Sequence, residues 1–470
     1  MRRALAGLAA LASLLACAAE LPIWEQPPPP IADQPVIRPG ALHRYPLGNG
    51  PLAIVLEDHR LPRVSVGVSL RRGAASVEPE RAGLAGFTAE LMKRGAGERD
   101  SLALASAVDA LGAVLSVSAD WDSITAQVWG LERDLDQLLA ILADVVLRPR
   151  FEAAEALRAR GELLALLERA RDDPHTLERR FAYAALYPGL RVGLPLAGSP
   201  ESVATLDAAA ARDFHARMFV ANNAILFAVG DVDAAALRAN FEAAFGAWRT
   251  GEIPAPGPRY PTPAPPARRI VVVDRPDLAQ TRISLAHEGI ARDDADRIPA
   301  NILSSAIAGN TFSSRLMQRL RADTGLTYGV GSAFSMQRGG GTFTVSTFTQ
   351  TADARRVIDL LLAELERARR EPPAGEELAA TRALAVGDFA LGIETSDAVL
   401  ASLVDLEIHG LPEDALDTFR SRVRAVTEAD MQRIATRLLH PERCAIVLVG
   451  PARELEPQLA DLGSIEWVKP

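Results

Sequence analysis

The apolar positions of this chain fall into two successive series of the same kind. Leu52 to Leu56 is a short apolar block, and after a turn around His59 to Pro62 the stretch Val64 to Leu70 alternates apolar with small residues, the period of a half-buried strand. Together they predict a β-hairpin. Helical spacing follows over Ala82 to Arg94 and Leu102 to Leu111, alternation returns over 113–128, and helical spacing resumes over Leu131 to Arg148 and Glu152 to Arg171. Ala224 to Gly230 reads as a buried strand, with a helix from Ala234 to Trp248 behind it.

A breaker-rich stretch, Pro254 to Pro266, then interrupts the pattern, and the order starts again. Ile270 to Val273 and Thr281 to His287 read as strands, Ile298 to Ala308 and Ser313 to Arg321 as helices, and Leu326 to Ala333 and Gly341 to Thr347 as strands, with Gly339 to Gly341 as a hairpin tip. Helical spacing covers Ala352 to Glu371, Gly375 to Gly392 and Asp414 to Leu439; a late strand, Cys444 to Gly450, and a helix, Pro451 to Leu462, complete the series. The repetition predicts a duplication: an α+β chain of two homologous domains, each a mainly antiparallel sheet with helices packed on one face. The expected boundaries are 42–250 for the first domain, 251–267 for a Pro-rich linker and 268–470 for the second domain.

The N-terminus has a different character. Met1, Arg2 and Arg3 precede an apolar run from Ala4 to Ala16, the charged start and short greasy core of an export signal, and too short to span a bilayer. Leu14-Leu15-Ala16-Cys17 resembles a bacterial lipobox, in which the Cys17 sulfur is lipidated; ordinary cleavage after Ala16 or Ala18 is the other reading. Both place residues 1–17 in a signal and predict an exported, periplasmic protein, the first adding an outer-membrane anchor. Residues 18–41, with Pro27 to Pro30, read as an extended tether.

Composition narrows the function. The 60 acidic residues outnumber the 51 basic ones, for a net charge of -9, so the footprint of a nucleic-acid binder is missing. Cys17 and Cys444 are the only cysteines; Cys444 lies in an apolar strand and reads as a buried, inert thiol. The seven histidines, His43, His59, His175, His215, His287, His409 and His440, show no i, i+4 pair. Neither a G-x-S-x-G elbow nor a G-x-x-x-x-G-K-[ST] loop occurs. Asp172 and Asp173 sit before Pro174 and read as helix caps.

Two segments carry a family resemblance. Gly83 to Gly95, with Gly86-Phe87-Thr88-Ala89-Glu90 at its centre, resembles the zinc helix of the insulinase/pitrilysin (inverted-zincin) peptidases, whose active members carry H-x-x-E-H there. Two histidines four apart share one helix face and one zinc ion, and the glutamate polarises the bound water. Here those positions are Gly86, Ala89 and Glu90, so both histidines and the base are replaced. The third ligand of the family falls near Ala159 by its distance from Asp172-Asp173-Pro174, with Glu155, Glu162 and Glu168 nearby. Further on, Ser313 to Arg321, leading through Asp323-Thr324-Gly325-Leu326-Thr327 to Tyr328, closely resembles the family's C-terminal-domain signature.

The resemblance runs from about Tyr45 to Gly463. It implies a clam-shell half that binds no zinc itself and keeps Arg321 and Tyr328 as substrate-binding residues, suited to a peptide carbonyl whose oxygen becomes anionic. It also implies a heteromeric peptidase in which a homologous subunit carries the zinc, acting on unfolded or short peptides. A peptide-binding or scaffold protein without proteolytic role, and a self-sufficient metallopeptidase with an atypical site, are the alternatives.

Overall fold

The structure, a computed structural model, describes residues 22, 23, 26, 34–260, 267–309 and 311–470. The export signal, Cys17, most of the Pro-rich tether and 261–266 of the linker lie outside the described residues. Residues 35–470 form one compact body, of which two six-stranded sheets are the frame.

The first sheet is built from β1 (Leu42–Pro46), β2 (Leu52–Glu57), β3 (Arg63–Leu70), β4 (Val114–Ala119), β5 (Ile124–Leu131) and β6 (Ala224–Gly230), in the spatial order β1-β2-β6-β3-β5-β4. The second uses β7 (Arg269–Asp274), β8 (Gln280–Glu288), β9 (Val330–Gln337), β10 (Gly340–Gln350), β11 (Ala445–Gly450) and β12 (Ile465–Val468), in the order β9-β10-β8-β11-β7-β12. Pairing is antiparallel except for β2 with β6, β11 with β7 and β12 with β7. The chain is therefore α+β with two sheet domains, as the duplicated pattern predicts.

Strand alternation decides which residues meet the helices. Val64, Val66, Val68 and Leu70 of β3 join one core with the helices Leu84–Met92, Leu135–Leu147 and Ala208–Met218. In the second domain Ile283 and Leu285 of β8 face the helices Arg297–Ala308, Ala354–Arg370 and Glu428–Leu438. Gly67 lies on the opposite face of β3, where a Cβ would stand 2.2 Å from the Phe227 ring. Only glycine admits that ring.

Three helices position the first candidate site and tie the two domains together: α1 (Leu84–Met92), α2 (Ala153–Ala170) and α3 (Pro174–Leu186). Asp173 caps α3, its carboxylate accepting from the backbone N–H groups of His175 and Thr176, so the predicted cap role is the observed one. From the first half of the chain, α3 crosses to the second sheet, where Leu177, Ala182 and Ala185 pack on Val271, Val273, Val447 and Val449. Its Glu178, 2% exposed, takes the Arg282 guanidinium at 2.5 Å. The reciprocal helix, Ser396–His409, comes from the second half and lays Leu400, Leu403 and Val404 on Ile54, Ile225 and Phe227 of the first sheet. Each sheet thus has its own helices on one face and one helix of the opposite domain on the other.

The structure departs from the pattern in several places. β2 and β3 do not form a hairpin: β6 lies between them, pairing with both. All seven residues of β6 are buried, and a strand apolar on both faces takes the middle of a sheet. The elements β1, α3, Ser396–His409 and β12 have no counterpart among the predicted ones. Among the described residues, no helix is long and apolar enough to cross a membrane.

The joint between the domains carries a half-buried charge cluster. His409 bonds Asp122, in the β4–β5 turn of the first domain, at 3.2 Å and Asp405 at 3.0 Å, while the Arg338 backbone N–H reaches Asp122 and the Arg292 guanidinium reaches Asp405. Burial opposes the imidazolium, but the bonds to Asp122 and Asp405 outweigh it and raise the His409 pKa to about 9. Burial instead pushes His287 down to about 3 and His215 to about 4. An unfolded histidine titrates near 6.5. The His409 contribution is therefore complete below about pH 6.5 and lost as pH rises through about 9, whereas the neutral His215 and His287 lose stability as pH falls from about 6.5 through 4 and 3. Urea midpoints measured from pH 4 to 10 are expected to peak near pH 6.5 and to fall from there to about 9, and H409N is expected to flatten only that alkaline limb.

Candidate functional site

α1 presents the first candidate site. Gly86 is exposed, with open space where a Cβ would stand, and Ala89 is buried at 2% exposure. Neither offers a donor atom. Glu90, one turn on from Gly86, is engaged by Lys93 at 2.7 Å and Arg94 at 2.9 Å. Burial works against its charge, yet these two cations hold its carboxyl below the ordinary glutamate range.

The neighbouring helix α2 supplies the rest of this network. Ala159 points into the core at 3% exposure and cannot be the counterpart of a ligand. Glu155 and Glu162, about one turn to either side of it, reach α1 instead: Arg94 pairs with Glu162 at 2.5 Å and lies 3.8 Å from Glu155. One guanidinium joins three carboxylates on two helices. Two positions without donors and a third occupied by cations do not fit a zinc ion. Among the described residues no group of three or more His, Cys, Asp or Glu side chains could hold a metal.

The second candidate site is built around Arg321 and Tyr328. After the helix Arg297–Ala308, Ser314 bonds the carbonyls of Gly309 and Thr311, and Arg315 is locked inside by Glu377 at 2.6 Å and the Glu371 carbonyl at 2.8 Å. The next turns are wound as a π-helix, Met317–Ala322, rather than the α-helix predicted for Ser313 to Arg321. Asp323 N–H reaches back five residues to Gln318, while Leu320 anchors the segment in the core. Such π turns are frequent at functional sites.

Beyond it the chain reverses at Gly325, where φ is +64°, a conformation that glycine adopts without strain. The pattern predicts a strand from Leu326, but β9 begins only at Val330. Side-chain hydroxyls replace the ladder over Leu326 to Gly329: Thr349 Oγ1 donates to the Leu326 carbonyl at 2.7 Å, and Thr347 Oγ1 to that of Gly329 at 2.8 Å. Thr327 is buried in this net and Tyr328, next to it, is thrown outward, 73% exposed.

The Arg321 guanidinium lies 4.3 Å from the Tyr328 ring centroid and 4.5 Å from that of Phe312. Each contact is a cation–π interaction. Among the described residues Arg321 has no carboxylate partner, unlike Arg315 six residues earlier. Sequence reasoning names Arg321 and Tyr328 and misses Phe312, since a separation of nine residues through a loop follows no helical or strand period. It also misses Arg94 as the link to α2, although Glu155 and Glu162 are seven apart and so share a helix face. No hydrogen bond, ion pair or ring contact among the described residues connects the α1 site with the Arg321–Tyr328 pair.

The comparisons with known proteins agree with this double architecture. The insulinase (peptidase family M16) model matches residues 53–199, and the peptidase M16 inactive domain model matches 205–384. The chain belongs to the insulinase family. An uncharacterized zinc protease of Mycobacterium tuberculosis is 28% identical over 419 residues, covering 87% of this chain and 94% of that protein. One of Streptomyces coelicolor is 24% identical over 425 residues, with 88% and 91% covered. Among solved structures, a peptidase M16 inactive domain protein from Pseudomonas fluorescens superposes with a TM-score of 0.81 at 24% identity, covering 87% of this chain and 98% of that one. A protease from Helicobacter pylori gives 0.79 at 18% identity, covering 87% and 99%. These structures carry the same fold.

Proposed function

We propose that this chain is the non-catalytic, substrate-binding subunit of an exported, heteromeric insulinase-type peptidase, and that a homologous subunit bearing H-x-x-E-H supplies the zinc chemistry. The observation that carries this is the contrast between the two sites. The α1 helix has lost its histidines and its base and has cations on Glu90, while Arg321 stands beside Tyr328 without a carboxylate partner among the described residues. A half-buried guanidinium beside an exposed phenol is suited to hydrogen-bond a peptide carbonyl as it becomes anionic. Relatives named zinc proteases, and a solved neighbour named for an inactive domain, are in keeping with a peptidase-family body whose own catalysis has lapsed. Unfolded or short peptides are the substrate class of this reading, because a backbone carbonyl can reach Arg321 and Tyr328 only from chain that is not folded into its own hydrogen bonds. The export signal and Cys17 support a periplasmic complex, anchored at the outer membrane if Cys17 is lipidated.

Mixing the purified chain with any zinc-motif homologue encoded beside it tests the pairing. Sedimentation should give a 1:1 heterodimer. Two separate species would favour a scaffold protein with no proteolytic role.

A further inference from the structure

Phe312 has no place in that reading, and its position is unusual. It is 67% exposed, one of a small number of large apolar side chains on the surface, and Tyr328 is another. The Gln318 side-chain amide donates to the Phe312 carbonyl at 2.7 Å and ties this loop to the π-helix that carries Arg321. Both rings lie against the Arg321 guanidinium, at 4.5 and 4.3 Å.

Covering a guanidinium with rings has two chemical consequences. Its N–H groups point out at the edge of the plane, and each ring keeps water from the part of the guanidinium it covers, which strengthens the bonds made at that edge. The surfaces of Phe312 and Tyr328 not turned to Arg321 stay in water, so the pair presents apolar surface on the flanks of one hydrogen-bonding fork. A backbone carbonyl placed on the fork brings its neighbouring side chain against one of those rings. A large apolar side chain gains by covering the ring; a serine or glycine leaves it wet; a lysine or arginine meets the Arg321 charge.

We propose that Phe312 is a specificity-determining third member of the Arg321–Tyr328 site, which takes extended peptide segments carrying a large apolar side chain beside the carbonyl that Arg321 holds. This rests on the peptide-binding reading above.

The test uses the full chain and three fluorescein-labelled twelve-residue peptides with blocked ends, identical except for a central Leu-Phe-Leu, Ser-Ser-Ser or Glu-Glu-Glu, with binding followed by anisotropy. The wild-type chain should bind the apolar peptide about tenfold more tightly than the serine peptide. F312A should erase that difference, F312W should restore it, and R321A should weaken both peptides alike. The melting temperature of F312A should be that of the wild type, because the ring is on the surface. Equal binding of the apolar and serine peptides, or full discrimination by F312A, overturns the role of Phe312 and leaves peptide binding standing. Tightest binding of the glutamate peptide overturns it in favour of a carboxylate receptor. Failure of the wild-type chain to bind any of the three overturns both readings.

Discussion

R321A is expected to lower kcat/KM for peptide cleavage by the complex with a zinc-bearing homologue about 100-fold, with the melting temperature of this chain unchanged. The size follows from what one well-aimed donor to a developing oxyanion contributes, roughly 3 kcal/mol in a water-excluded site. The selectivity follows from the geometry. Arg321 contacts two exposed rings and has no carboxylate partner among the described residues, so its removal leaves no buried group unpaired. R321K should recover little, since an ammonium has neither the planar fork nor the stacking face of a guanidinium. By contrast R315A, six residues away, should destabilise the fold by about 1–3 kcal/mol, because it breaks the Glu377 pair and leaves Glu364, 1% exposed, with Arg367 at 3.4 Å as its remaining cation. A loss of activity in R321A matched by a loss of thermal stability would mark Arg321 as structural.

The second large effect concerns the two crossing helices. Leu177 on α3 and Leu403 on Ser396–His409 are 1% and 0% exposed and sit against opposite sheets. Truncating either to alanine should cost about 3–5 kcal/mol, the transfer term plus the cavity left behind. They share no cluster, so the costs should nearly add, giving about 6–10 kcal/mol for L177A/L403A against a typical total stability of about 5–15 kcal/mol. Because each helix belongs to one half of the chain and covers the sheet of the other, both halves should melt together in each single variant. Calorimetry showing two separated transitions in the wild type would contradict this mutual support.

Much of the fold is open to reading because both sheets use strongly patterned strands. Val64 to Leu70 alternates and Ala224 to Gly230 is uniformly apolar, and each is a strand. What pattern does not convey is neighbourhood. β6 separates β2 from β3 by arriving more than 150 residues later, a long-range preference that no local turn encodes. The helix Ser396–His409 escapes notice because Val399, Leu400, Leu403 and Val404 form a compact apolar run of a length that suits a strand as well as a helix; its partner surface, the outer face of the first sheet, lies some 170 residues away at its nearest strand. At the functional positions, residue identity is legible and company is not. The loss of histidines at Gly86 and Glu90 is plain from the sequence, whereas the Arg94 link to Glu162 and the stacking of Phe312 on Arg321 depend on how a helix pair and a π turn present their side chains.

The most direct measurement is zinc content and peptide hydrolysis of the purified mature chain, alone and then mixed with the homologue that carries H-x-x-E-H. The expected result is no zinc and no hydrolysis from this chain alone, with chelator-sensitive cleavage gained or enhanced on mixing. Stoichiometric zinc and chelator-sensitive hydrolysis by this chain alone would contradict the assignment of a non-catalytic subunit.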